Sequence, residues 1–424
     1  MKRVLALALI LALALTACGG TTLVSTETEE TAAETVAPAP VTRYLAVSEP
    51  LTWAAYEAIP VARADMTEDE LRAICVTYMQ MMKSIPWTPD GDIRYDCPPA
   101  VMNRDDGTIR LPAGTVYAGM PYTSAGGDLL CFMDYYDEET GVLKVSHLGL
   151  AVNEIVGNTC SPCTFWGWAR VSTTMVLEDI SQINPSGGYV ALGPAQYDFT
   201  KPFTDTPTIT QENGEQVMYQ CYALLKPASG LVTYPKGTYG HTRMSVETPT
   251  VVYKDDGTID GDRSTVRLSD QTPATRSVTD ENGAVTGIGN VDTPFTFRAL
   301  YDAGYLTFEI PELVGQAPIE EAEVTLGLPN NDPARFFDGK ITANYAISRV
   351  DAFLIGENGE GENVGHALGH CYKDRARNVS VGNVITGRRT LSELVPAGET
   401  CRIAFRVRLG NGETVMLDPV TVTP

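Results

Sequence analysis

The sequence predicts an α+β domain over residues 43–317 followed by an all-β domain over residues 318–424. Three observations carry this. A capped amphipathic helix starts near Thr67, and a second, strongly apolar helix starts at Cys160, with short strands around them. After Pro318 the apolar positions switch to strict period-two alternation, the mark of half-buried strands. Residues 1–42 carry no folding signal of their own.

At the N-terminus, Lys2 and Arg3 precede an apolar run over residues 4–15, too short to span a bilayer. It ends in Leu15-Thr16-Ala17-Cys18-Gly19, which resembles a bacterial lipobox, where small residues precede the cysteine that becomes the lipidated N-terminus. Residues 1–18 are therefore expected to be a lipoprotein signal peptide with its lipidated Cys18. Residues 19–42, rich in Thr, Glu, Ala and Pro, cannot bury enough surface to fold and read as a disordered tether. The expectation is a lipid-anchored protein facing outward from a bacterial cell envelope. A formal charge of −22 excludes nucleic acid as a partner and removes any long-range attraction to anionic surfaces.

Thr67-Glu68-Asp69-Glu70 is a capping box. Leu71, Ile74, Cys75, Tyr78, Met79 and Met82 then recur at helical spacing, giving a helix to about Lys83 that Pro86 and Pro89 end. Gly119-Met120-Pro121-Tyr122-Thr123-Ser124-Ala125-Gly126-Gly127 reads as a loop. A helix is expected over residues 165–175, short strands and loops over 187–230, and a hairpin of strands 241–253 and 264–270. Asp255, Asp256, Asp260 and Asp262 lack calcium-loop spacing and read as a solvated turn. In the last part Cys401, Ile403, Phe405, Val407 and Leu409 alternate with Arg402, Ala404, Arg406 and Arg408, and further strands surround them, with a turn at Glu357-Asn358-Gly359. This rhythm predicts a small, independent β-sandwich of immunoglobulin-like type, its basic stripe paired with local carboxylates.

Chemistry concentrates in two places. Cys160 follows Gly157-Asn158-Thr159 and opens an apolar run, so its thiolate sits where a helix N-terminus stabilises negative charge. His241, in Gly240-His241-Thr242-Arg243, stands at the mouth of a strand and supplies a base. The chain has nine cysteines, expected to be mostly reduced and buried.

Taken in order, Gly119-Met120-Pro121-Tyr122 with Gly126-Gly127, then Gly157-Asn158-Thr159-Cys160-Ser161, then Gly240-His241, resemble the motifs of the NlpC/P60 papain-like cysteine peptidases. The resemblance spans about residues 115–275. It implies a papain-like fold for residues 43–317, with Cys160 as nucleophile and His241 as general base. Tyr122 would help bind the substrate carbonyl, Thr159 and Ser161 would flank the substrate, and a polar group on the next strand, Gln271 or else Asp270, would orient the histidine. We take Gln271 as that third catalytic group. The implied activity is hydrolysis of amide bonds in peptidoglycan stem peptides through an acyl-enzyme on Cys160, by a monomer needing no cofactor and no metal.

Thr159 replaces the family's Asp, Pro162 replaces its Gly, and the loop after Tyr122 is one residue longer and lacks a Trp. These departures leave an alternative, a catalytically impaired lipoprotein that binds wall or protein. A second alternative reads Cys160-Ser161-Pro162-Cys163 as a thiol-disulfide redox pair. His366, His370 and Cys371 invite a zinc site, but no fourth ligand pairs with them by spacing, and His147 has no partner in sequence.

Overall fold

The computed structural model describes residues 52–423, apart from 97–107, 146–155, 178–188, 199–207, 234–239, 281–282, 357–358, 372, 386–392, 394 and 397. Cys18, the signal and tether segments, His147 and the Glu357-Asn358 turn lie outside the described residues.

The chain is α+β and rich in sheet. Helix α1, Glu68–Ser84, starts at the foreseen capping box: the Thr67 hydroxyl accepts from the Glu70 N–H, and the Glu70 carboxylate accepts from the Thr67 N–H. Helix α2 is Cys160–Trp168, and α3 is Gly214–Ala223. Three longer strands follow: β1 (His241–Ser245), β2 (Thr265–Asp280) and β3 (Gly283–Thr296). Among the described residues they are central to a ten-stranded sheet. Its order is Tyr136–Asp137, Val142–Leu143, Pro86–Pro89, Tyr117–Ala118, β3, β2, β1, Gly230–Thr233, Leu306–Glu309 and Val190–Ala191. Helix α1 packs on α2, and α2 lies against β1 and β2. Trp87, Trp166 and Trp168 are fully buried in this layer. Each indole N–H reaches a carbonyl, of Gly119, Gly126 and Ala228 respectively, at 2.7–2.9 Å. Burying side chains of this size with the polar atom satisfied stabilises the fold by on the order of 3 kcal/mol apiece.

Several elements differ from the sequence expectation. Helix α2 ends at Trp168 rather than continuing to residue 175. Buried Glu312 is the reason: its Oε1 accepts from the N–H groups of Thr173 and Thr174 and from the hydroxyls of Ser172 and Thr174, drawing the backbone out of the helix. Helix α3 lies where strands and loops were expected. Its signal was present, since Met218, Cys221 and Tyr222 are buried at helical spacing. The hairpin forms, with Met244 opposite Ser269 and Ser245 opposite Leu268. However, β1 stops at Ser245 ahead of Pro249, which has no N–H for a ladder, and pairing resumes only as single bridges at Thr250 and Tyr253.

In the last part, Val324–Gly327, Lys340–Ala343 and Asn378–Ser380 form one antiparallel sheet. Gly361–Leu368, Ile347–Ile355, Cys401–Leu409 and Thr414–Val422 form another. Ile341 and Val379 from the first and Val350, Phe405 and Val407 from the second share one apolar cluster. This part is not separate from the rest. Ala346, Cys371 and Ala376 belong to the larger core of the preceding residues, and Arg349 ion-pairs with both Asp134 and Asp351. Within the arginine stripe Arg406 pairs with Asp351 at 3.0 Å, Arg408 lies 5.1 Å from the Trp53 ring centroid, and Arg402 is exposed.

Candidate active site

The site begins with a backbone junction. The Asn158 N–H donates to the Pro121 carbonyl at 3.1 Å, and the Thr123 N–H donates to the Asn158 carbonyl at 3.2 Å, so Tyr122 and Asn158 form a parallel bridge. The Gly127 N–H bonds the Gly157 carbonyl at 3.1 Å, and the Asn158 side-chain amide returns to the Gly127 carbonyl at 3.2 Å. The Pro-Tyr loop is thereby sewn to the turn that precedes Cys160. Gly157 makes the approach feasible: its φ is +100°, and a Cβ there would run into the Pro121 carbonyl oxygen. Gly157→Ala is expected to cost about 3 kcal/mol from left-handed strain and overlap together. Thermal unfolding would measure the loss, and an unchanged melting temperature would show that the junction is not tight.

Thr159 is the N-cap of α2, without a side-chain capping bond, and Cys160 is the first helical residue. Its Sγ is buried, 3.7 Å from the Ser161 hydroxyl and 4.0 Å from the Gly240 carbonyl. Thr164, one turn on, meets the Thr242 hydroxyl at 3.2 Å, and Gly167 gives room to the Met244 side chain. Thr242 and Met244 therefore face α2, and His241 and Arg243 alternate with them along β1, with His241 at the strand's mouth beside the start of α2.

His241 Nε2 lies 3.2 Å from Asp270 Oδ2, and Arg243 Nε lies 3.0 Å from the same oxygen. Neither N–H is aimed along a hydrogen-bond line, so both are ion-pair contacts converging on one oxygen. The other carboxylate oxygen accepts from the Asn290 amide at 2.8 Å. Arg243 is held between the Phe295 and Tyr305 rings, 3.9 and 4.7 Å from their centroids. His241 thus stands between the Asp270 carboxylate and the Cys160 thiol, and acts on both.

The electrostatics follow from this arrangement. Burial pushes the Cys160 thiol up, but the charge and hydrogen bonding of His241, the Thr242 N–H and the Ser161 hydroxyl outweigh it and bring the thiol down to about 7. Burial alone would lower His241, yet Tyr305, Asp270 and Cys160 together hold it well above the ordinary imidazole value. Burial likewise opposes ionisation of Asp270, but Arg243, His241 and Asn290 keep it well below the usual carboxylate range. With the thiol brought down to about 7 and the imidazole held up, a thiolate–imidazolium form is accessible near neutrality.

The structure thus brings Cys160, Thr159 and Ser161 to the start of α2, places His241 where it acts on the thiol, and sets Tyr122 beside the turn that carries them. Gln271 is not part of it. One residue beyond Asp270, it points to the opposite face, where Lys83 donates to its Oε1 and its own amide donates to the Met120 carbonyl at 2.6 Å. Asp270 is the group against the imidazole. Arg243 was missed by the sequence reading, although its place two residues after His241 put it on the histidine's face. Cys163 is fully buried with its sulfur 3.5 Å from the Met79 sulfur, and burial pushes its thiol up to about 12. No cluster of three or more His, Cys, Asp or Glu suited to a metal ion occurs among the described residues. Cys371 is in the core, and His366 lies 3.5 Å from Asp134.

No family of known proteins matches this sequence, and no curated protein does. Among solved structures, the glycoside hydrolase domain of Endo-D from Streptococcus pneumoniae R6 is similar at 11% identity with a TM-score of 0.11. The match covers 55% of this chain and 36% of that one, and a likeness this slight carries no argument about fold or activity.

Proposed function

We propose that this chain is a cysteine peptidase of NlpC/P60, papain-like type, a lipid-anchored protein of the cell envelope that hydrolyses amide bonds in peptidoglycan stem peptides. The observation that carries the reading is the row Cys160–His241–Asp270–Arg243, in which a half-buried imidazole lies between a buried carboxylate and a thiol brought down to about 7 at the start of a helix. A nucleophile-bearing helix packed on antiparallel strands that carry the base and its partner supports the papain-like assignment. The two sheets of the last part, sharing one core, support an immunoglobulin-like sandwich.

In this mechanism the Cys160 thiolate adds to the amide carbon, and the carbonyl oxygen takes up the electron pair as an oxyanion. The backbone N–H groups of Cys160 and Ser161, in the first turn of α2, have no intrahelical acceptor and are donors for that oxyanion. The imidazolium gives its proton to the leaving nitrogen as the C–N bond breaks, leaving a thioester. Imidazole then takes a proton from water, the hydroxide adds to the thioester, and Cys160 departs as thiolate. Asp270 stabilises the imidazolium at each stage, as the carboxylate does in a Ser-His-Asp triad.

A redox role for the Cys160/Cys163 pair is the poorer reading, because Cys163 is sealed in the core with its thiol raised. Alkylation of the intact chain with iodoacetamide tests the proposal. Reaction at Cys160 should rise with pH and reach half its maximum near pH 7, while Cys163 and Cys75, both pushed up to about 12 by burial, stay unmodified in the folded protein. A Cys160 midpoint near the ordinary thiol value of 9, or faster labelling of Cys163, would overturn it.

A further inference from the structure

A second concave site lies between the two parts of the molecule. It is a cleft of about 520 Å³, walled on one side by the Ala125–Gly127 end of the Pro-Tyr loop and by Tyr135, and on the other by Lys340, His366, His370 and Arg375. Its size falls within the range of small-ligand sites. Its charge runs against the rest of the chain, whose net charge is −22. Lys340 and Arg375 are exposed, and neither forms an ion pair among the described residues. Arg375 is close enough to act on His370, which burial and that neighbouring charge together hold below the ordinary imidazole value. The nearby carboxylate of Asp134, which faces His366, is already met by Arg349. Leu368 and Val379 add an apolar floor, and Asn378 and Ser380 contribute polar groups. A lysine and an arginine lining one cleft beside apolar side chains match a compact oxyanion on a partly apolar body.

We propose that this interdomain cleft binds a small ligand or peptide end bearing a carboxylate or phosphate, held by Lys340 and Arg375 and bridging the two parts of the chain. The site is distinct from the Cys160 row and does not depend on hydrolysis. Gly127 joins them, because it lines the cleft and also bonds Gly157 and Asn158.

Isothermal titration of the full chain tests the proposal with three probes: N-acetylalanine, its uncharged amide, and glycerol 1-phosphate. Saturable binding of N-acetylalanine assigns a carboxylate ligand, and binding of glycerol phosphate alone assigns a phosphate ligand. Either upholds the oxyanion site, provided that affinity falls with added salt. The double variant Lys340→Ala/Arg375→Ala should weaken that binding by about tenfold or more. Its Cys160 alkylation rate, unchanged from the parent, would show that the fold is intact. Because both side chains are exposed, Arg375→Gln alone serves as a milder second variant. Equal binding of the amide, unchanged affinity in a folded variant, or no saturable binding of either anion would overturn the proposal.

Discussion

Cys160→Ala is expected to reduce hydrolysis of wall-derived peptides to background, a loss of about 10 000-fold or more, with the fold retained. His241→Ala should lose about as much, and the double variant little more, because a nucleophile and its base act as one unit. Cys163→Ala removes a core sulfur next to Met79 and should cost only about 1 kcal/mol of stability while leaving turnover within a few fold. Mass-spectrometric detection of cleaved peptide, with near-ultraviolet circular dichroism as the check on folding, measures all three. An active Cys160→Ala variant would refute the assignment of the nucleophile.

The second large effect concerns the carboxylate behind the histidine. Removing the guanidinium in Arg243→Met leaves Asp270 buried beside fewer positive charges. Breaking a buried pair in this way is expected to cost about 3–5 kcal/mol, read as a lower melting temperature. Asp270→Asn keeps the shape and deletes the charge. It should reduce turnover by about 100- to 10 000-fold and move the pH midpoint of Cys160 alkylation up from about 7 toward 9, since the imidazolium that holds the thiolate is no longer supported. The linkage has a definite sign. Asp270 titrates lower in the folded chain than its free value of 3.8, so its stabilisation is present above that value and is lost as pH falls through the depressed folded value. The parent should therefore lose stability in acid that Asp270→Asn does not lose. Alkylation with an unshifted midpoint in Asp270→Asn would show that His241 is held by other groups.

What the sequence revealed depended on how local each signal was. The capping box at Thr67 and the position of Cys160 at a helix start are written in a few adjacent residues, and the structure has both. The pairing of β1 with β2 was legible because a turn-rich segment separates two alternating runs. The end of α2 was not, because Glu312, which captures the backbone of Thr173 and Thr174, lies far along the chain. The choice between Asp270 and Gln271 turned on which of two neighbours faces His241. Period-two alternation allows either until the strand's register is known, and here the register puts Gln271 with Lys83 on the opposite face. The cleft drew its basic wall from residues 340–375 and its other wall from residues 125–135, a juxtaposition that no local motif encodes.

The stitching of the Pro-Tyr loop to Gly157, and of β1 to β2, also governs when the site comes into being. Cys160, His241 and Asp270 meet only after strand pairings that are distant along the chain, including the parallel contact of Tyr117–Ala118 with Thr286 and Gly287. Contacts of such high order close late in folding, after helices such as α1 have formed. Until then the thiol keeps its ordinary value of 9 and is almost wholly protonated at neutral pH. A chain still being threaded or refolded therefore carries a thiol of ordinary reactivity, and completed topology brings its value down to about 7.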